Sequence, residues 1–196
     1  MAITIEVNGV QYTKFESVQI ELQLDAMCNS FSMDVVTTGG ASLPFQGGES
    51  CVLYVDGIKK VTGTIEACDG SYNGTSHQIT YYGRDKTADI LDSSLEAIDD
   101  LTPPISLKSV CEKVISQIGS SLSVVEGTTI EDFNKAEDII SPETGDNAYN
   151  FLQQLASKRQ VLLSSNADGN LLLTQANPVT SSGRLQNKLR DNTNNV

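Results

Sequence analysis

The chain has 196 residues, enough for one large domain or two small ones built on a real core. Hydrophobic residues make up 39% and Gly contributes 15, a globular composition rather than a disordered one. Thirteen Lys and Arg stand against 25 Asp and Glu, a net charge of -12 that argues against static binding along a phosphate backbone. Four cysteines (Cys28, Cys51, Cys68, Cys111) lack CxxC spacing and the chain has one His, which all but excludes a zinc finger or catalytic zinc. No apolar run approaches the roughly 20 residues of a membrane helix. The opening stretch, Met1 to Glu6, has neither the basic nor the apolar segment of a secretory signal. The expectation is a soluble chain made in a cytoplasm, with all four thiols reduced and at least three of them buried as small hydrophobes.

The charge is unevenly spread. Residues 1–100 carry 15 acids and 5 bases, a net of -10, whereas residues 101–196 carry 10 acids and 8 bases, a net of -2. The pattern changes near Asp99-Asp100-Leu101-Thr102-Pro103-Pro104, where two prolines stop any regular element. The division predicted is a first unit over 1–95, a second over 96–178 and a polar tail over 179–196.

The first unit reads as β-structure. Ile3, Ile5 and Val7 alternate with polar residues before the hairpin dipeptide Asn8-Gly9, then Val10 and Tyr12 follow. Val18, Ile20, Leu22 and Leu24 form the cleanest period-two run, and Phe31, Met33 and Val35 repeat the pattern. Cys51 to Val55, the turn Asp56-Gly57, and Ile58 to Val61 make a second hairpin; Ile65 and Ala67, then Ile79 and Tyr81, close the series. Six to eight short strands joined by Gly and Asn turns imply an antiparallel barrel or small sandwich.

The second unit is mixed. Ser106 is placed to cap a helix whose apolar residues Leu107, Val110, Cys111, Val114, Ile115 and Ile118 share one face, with Gly119 to end it. A second helix begins near Thr144 to Asp146, with Ala148, Phe151, Leu152, Leu155 and Ala156 inward and Lys158 and Arg159 matched to the dipole of its last turn. A hairpin follows, from Val161–Leu163 through Asn166-Ala167-Asp168-Gly169-Asn170 to Leu171–Leu173. The whole is mixed α+β: an N-terminal antiparallel barrel, then a small α+β unit of two helices and a hairpin.

Chemistry-bearing patterns are sparse. Gly39-Gly40 and Gly47-Gly48 flank Ala41 to Phe45, but no Lys-Ser or Lys-Thr follows and no helix opens there, so a mobile loop outweighs a phosphate loop. His77 sits on an alternating strand without a nucleophile pattern beside it. The acid pairs Asp99-Asp100, Glu131-Asp132 and Glu137-Asp138 read as a solvated face rather than a glycosidase dyad. Asn73-Gly74-Thr75 matches a glycosylation sequon without a secretory route to use it. No catalytic residue, cofactor or metal site is expected, and the chain is not expected to be an enzyme.

The strand end Ile79-Thr80-Tyr81-Tyr82-Gly83, followed by Arg84-Asp85-Lys86-Thr87-Ala88-Asp89-Ile90-Leu91-Asp92, resembles a Gly-Arg-x-x-Thr-x-Asp-Leu-Val-Asp stretch of the Mu-like contractile-tail baseplate hub proteins of phages, prophages and tailocins. The opening hairpin Ile5 to Tyr12 is similar to that family's start, and Tyr54-Val55-Asp56-Gly57 through Val61-Thr62-Gly63 to its Asp-Gly hairpin. Pro142-Glu143-Thr144, Phe151 to Ala156, and Asp168-Gly169-Asn170-Leu171 resemble its second unit in order, so the likeness spans roughly residues 3–175.

The resemblance implies a structural component of a baseplate hub that joins the tail tube to the central spike and lines the channel. It implies a homotrimer in the virion, assembled in the host bacterial cytoplasm. Its partners would be tube, spike and other baseplate proteins, with DNA passing without specific binding and no membrane insertion. A negative lumen lets phosphates slide without sticking, which would give the acidic first unit a purpose. Hubs of this family are longer chains with a second barrel after the α+β unit. This chain reaches Arg184-Leu185-Gln186-Asn187 where that barrel would begin, and one barrel per chain cannot make a pseudo-sixfold ring from three copies. Two other classes stay open. A carbohydrate-binding β-domain would want exposed aromatics, yet Trp is absent and aromatics are 6%; a cell-wall hydrolase accessory module would want an acid or metal site.

Residues 83–89 stand where the barrel hands over to the α+β unit. Gly83 is expected to take a backbone turn that other residues resist. Arg84, Asp85 and Asp89 are expected to pair across a short helical turn, with Arg84 partly buried on a carboxylate. Gly83, Arg84, Asp85 and Asp89 are thus the expected structural hinge.

Overall fold

The structure, a computed structural model, describes residues 2–23, 26–37, 45–72, 77–135 and 141–175. The 38–44 loop, the Asn73-Gly74-Thr75 sequon, the Glu137-Asp138 pair, the 179–196 tail and the side chain of His77 lie outside the described residues.

Seven strands fill the first part: β1 (Ile3–Val7), β2 (Val10–Tyr12), β3 (Ser17–Glu21), β4 (Ser30–Thr37), β5 (Ser50–Val55), β6 (Ile58–Tyr72) and β7 (His77–Asp85). They form one antiparallel sheet in the order β2-β1-β5-β6-β7-β4-β3. Local chemistry sets its tight turns. Asn8-Gly9 and Asp56-Gly57 both have positive φ at each central residue, the geometry whose twist suits a two-residue hairpin.

The expected closed barrel is not found, because among the described residues the sheet keeps two open edges at β2 and β3. β2 offers only three residues, and residues 13–16 carry the chain on to β3 without a ladder between the two edges. The sheet instead curls around one apolar cluster. Ile5, Val7, Phe31, Met33, Leu53, Val61, Ile65 and Tyr81 are buried there, with Tyr12 of β2 and Val18 and Ile20 of β3 packed on it from the two edges. Phe45 fills the space between, its ring 4.6 Å from Tyr12 and 5.1 Å from Tyr81, both edge-on. The period-two run also stops short. β3 ends at Glu21, opposite the first residue of β4, and Leu22 beyond it is exposed. The two segments expected around Val61 and Ile65 are one 15-residue strand, bent by a bulge between Ile65 and Ala67.

The second part holds α1 (Ala88–Asp92), α2 (Leu107–Gln117), β8 (Val124–Glu126), α3 (Ala148–Lys158), β9 (Leu162–Ser165) and β10 (Leu171–Thr174). Ser106 caps α2 by accepting the Ser109 N–H at 3.1 Å, and Gly119 follows its end at φ 71°. Asn147 caps α3, accepting the Asn150 N–H at 3.0 Å. The apolar faces of α2 and α3 share a cluster with Ile90, Leu95, Phe133, Leu171 and Leu173. Sequence pattern missed β8, which lies parallel to β10 and completes the sheet β8-β10-β9. Arg159 caps no dipole alone: it stacks over Phe133 at 4.2 Å and donates to the carbonyls of Glu131 and Asp132. Met27, from the loop before β4, belongs to this second cluster, so the clusters meet close to the β7–α1 turn.

Candidate functional site

The junction of the two clusters is built on three consecutive residues of β7. Gly83 pairs with Phe31 on one side and Ile65 on the other, in regular strand conformation. Its role is space rather than the expected turn: a Cβ there would sit 2.2 Å from the Phe31 ring and 2.5 Å from the Thr64 carbonyl oxygen.

Arg84 and Asp85 follow on the strand and so point to opposite faces. Arg84 faces outward, where its Nε donates to Glu66 Oε1 and Oε2 at 2.8 and 2.9 Å. Its Nη1 and Nη2 donate to the Asp92 carboxylate at 3.2 and 2.5 Å. One guanidinium therefore ties β6 to α1. These carboxylates hold the Arg84 pKa above its already high ordinary value, and Arg84 in turn lowers that of Asp92. Arg84 also borders a groove of about 280 Å³ on the outer sheet face, with Ser30, Ser32 and Tyr82.

Asp85 points inward and is buried. Its Oδ2 accepts the Asn29 N–H at 2.8 Å, and its Oδ1 accepts the Thr87 N–H at 3.0 Å and the Thr87 hydroxyl at 2.5 Å. That hydroxyl shares its proton with the Met27 carbonyl, 2.9 Å away. The carboxylate thus binds the entry to β4 and the entry to α1 using neutral donors. The expected pairing among Arg84, Asp85 and Asp89 does not form. Strand alternation separates the first two, and Asp89 accepts from the Ser120 hydroxyl at 2.6 Å on the helical side. The partners that sequence reasoning missed are Glu66, Asp92, Asn29 and Thr87; period-two alternation across Arg84 and Asp85 was the available signal.

A second fastening lies at the β9–β10 turn. Thr62 of β6 donates its hydroxyl to the Ala167 carbonyl at 2.8 Å, and Lys59 Nζ donates to Asp168 at 2.8 Å. Gly169, at φ 74°, comes so close to β6 that a Cβ would meet the Thr62 carbonyl oxygen at 2.5 Å.

The cysteines depart from expectation. All four are free thiols, but only Cys51 and Cys111 are buried; Cys28 is intermediate and Cys68 is exposed, beyond the bulge where β6 has left the core. Burial pushes the Cys51 thiol up to about 12; burial, then the Asp85 charge, does the same for Cys28. Cys111 is raised further by burial. Asp99, Asp100, Glu131 and Asp132 are exposed, and no cluster of three or more His, Cys, Asp or Glu able to hold a metal ion occurs among the described residues. No described helix is long and apolar enough to cross a membrane.

Residues 2–85, the large sheet up to Asp85, match the family model described as Mu phage baseplate assembly protein GpP-like, N-terminal. The chain is 25% identical over 181 residues to the baseplate hub protein gp44 of Escherichia phage Mu, covering 89% of this chain and 46% of that one. Among solved structures it resembles the 43 kDa tail protein of prophage MuSo2 from Shewanella oneidensis, with a TM-score of 0.79 and 27% identity over 90% of this chain and 55% of that one. It also resembles the tail protein from Neisseria meningitidis MC58, with a TM-score of 0.72 and 20% identity over 88% and 49% of the two chains. The chain spans about half the length of these relatives. The curled sheet that ends at Asp85 is thus similar to the N-terminal region of the GpP-like Mu phage baseplate assembly proteins, and the chain over most of its length is similar to baseplate hub and tail proteins.

Proposed function

We propose that this chain is a structural, non-enzymatic component of the baseplate hub of a Mu-like contractile tail, joining the tail tube to the central spike. The observation that carries the reading is the match of the complete N-terminal sheet to the baseplate family, together with likeness to a hub protein over nearly the whole chain. In this role three copies surround a channel through which DNA passes without specific binding, and the particle is assembled in the host cytoplasm. The acidity of residues 1–100 supports such a lumen, since like charge keeps phosphates from adhering. The division into units over 1–95 and 96–178 is part of the same reading.

The Gly83–Asp89 segment is the joint of that hub. A part that carries force between tube and spike needs its units at a fixed angle. Arg84 on the outside and Asp85 on the inside fasten the same strand to α1 from both faces. The test is co-expression of the chain with the tube and spike proteins of the same particle, followed by affinity capture and electron microscopy. Capture of both, with density for three copies between them, is expected. A chain that binds neither protein would overturn the hub reading.

A further inference from the structure

Beside the β9–β10 turn runs a groove of about 420 Å³, bordered by Leu22, Lys59, Lys60, Ser164, Ser165 and Ala167. We propose that it is a docking site for an extended acidic segment of a partner protein, whose carboxylate is taken by Lys60. Consecutive strand residues normally face opposite ways. Here Val61 pairs with Leu53 and Lys59 with Tyr54, so Lys60 is the extra residue of a bulge and both lysines line the same groove.

Their situations differ. Lys59 is engaged by Asp168 and also feels Glu6 and Tyr54. Lys60 is half-buried and has no hydrogen bond or ion pair among the described residues. In a chain with 25 acids and 13 bases, a half-buried lysine that no carboxylate of the described residues engages is a charge left for an outside partner. The groove also offers backbone. Ser164 and Ser165 belong to β9, which pairs with β10 on one side and, among the described residues, is the open edge of its sheet on the other. An extended peptide can add to such an edge through its main chain, while alternate side chains reach the groove. Leu22, exposed at the rim, supplies an apolar contact beside the charge. Nucleic acid is the poorer occupant, because one free lysine cannot offset the repulsion between phosphates and a chain of net charge -12.

The probe is a fluorescein-labelled hexapeptide of alternating Glu and Val, titrated into the full chain by fluorescence anisotropy. Binding to the wild type is expected to weaken at least about tenfold in Lys60→Glu and in Lys60→Gln, the loss of one charge-assisted contact. Lys14→Glu, which reverses an exposed base on the 13–16 link, is expected to bind as the wild type does. Circular dichroism melts of each variant establish that the fold is retained. Absence of peptide binding at millimolar concentration, equal binding by Lys60→Glu, or displacement by a 12-nucleotide single strand at lower concentration than unlabelled peptide would each overturn the proposal.

Discussion

Removing the Asp85 carboxylate should cost far more stability than removing the Arg84 guanidinium, although both fasten the same joint. Asp85 is 2% exposed, and its carboxylate accepts two backbone N–H groups and one hydroxyl. Asp85→Ala leaves the Asn29 and Thr87 N–H groups buried without acceptors, while the Thr87 hydroxyl keeps the Met27 carbonyl. At about 1–3 kcal/mol for each of the two stranded donors, the loss comes to about 2–6 kcal/mol. Arg84 is the contrasting case. Its side chain is 32% exposed, and Glu66 and Asp92 are 38% and 60% exposed, so both carboxylates return to water when it is truncated. Two such bridges contribute about 1 kcal/mol together, at the lower end of what a desolvated partner would have implied. Urea titrations of wild type, Arg84→Ala and Asp85→Ala, followed by far-UV circular dichroism, measure the difference directly. A loss below about 1 kcal/mol for Asp85→Ala, or equal losses for the two variants, would refute the assignment of Asp85 as the energetic centre of the joint.

Gly83→Ala should destabilise by about 2 kcal/mol or more, because the added methyl collides with the Phe31 ring and the Thr64 carbonyl, and a thermal melt reads the loss. Thiol titration at pH 8 should find one fast native thiol, Cys68, and four after denaturation. Cys28 and Cys51 are both held near 12 against an ordinary 9.0, so their contribution to stability is complete below pH 9 and is lost as the pH rises toward 12; urea midpoints should fall across that window. Ser106→Ala should cost about 1 kcal/mol through loss of the α2 cap, measured by the same urea titration.

Features written within a few neighbouring residues were legible in the sequence. The dipeptides Asn8-Gly9 and Asp56-Gly57 specified two hairpins, since they accept the positive φ that those turns demand. The apolar spacing from Leu107 to Ile115, with Ser106 before it and Gly119 after, specified α2 and its buried face. The Gly-Arg-Asp segment and the hairpin order also marked the likeness to baseplate hub proteins, which the match over residues 2–85 bears out for the large sheet.

Tertiary structure decided what depends on distant parts of the chain meeting. Closure of the sheet required β2 and β3 to share a ladder, and a three-residue edge beside the 13–16 link left them apart. The strand β8 is too short to declare itself and exists because β10, more than 40 residues later, pairs with it. Arg84 could be foreseen to find a carboxylate, but which one was set by the β6–β7 register and by the fold of α1, which present Glu66 and Asp92. Cys68 shows the same division: its strand is evident from sequence, whereas its exposure follows from a bulge that carries β6 away from the core. Periodicity describes a segment against itself, while register and burial are properties of pairs, and those are settled only when the chain has folded.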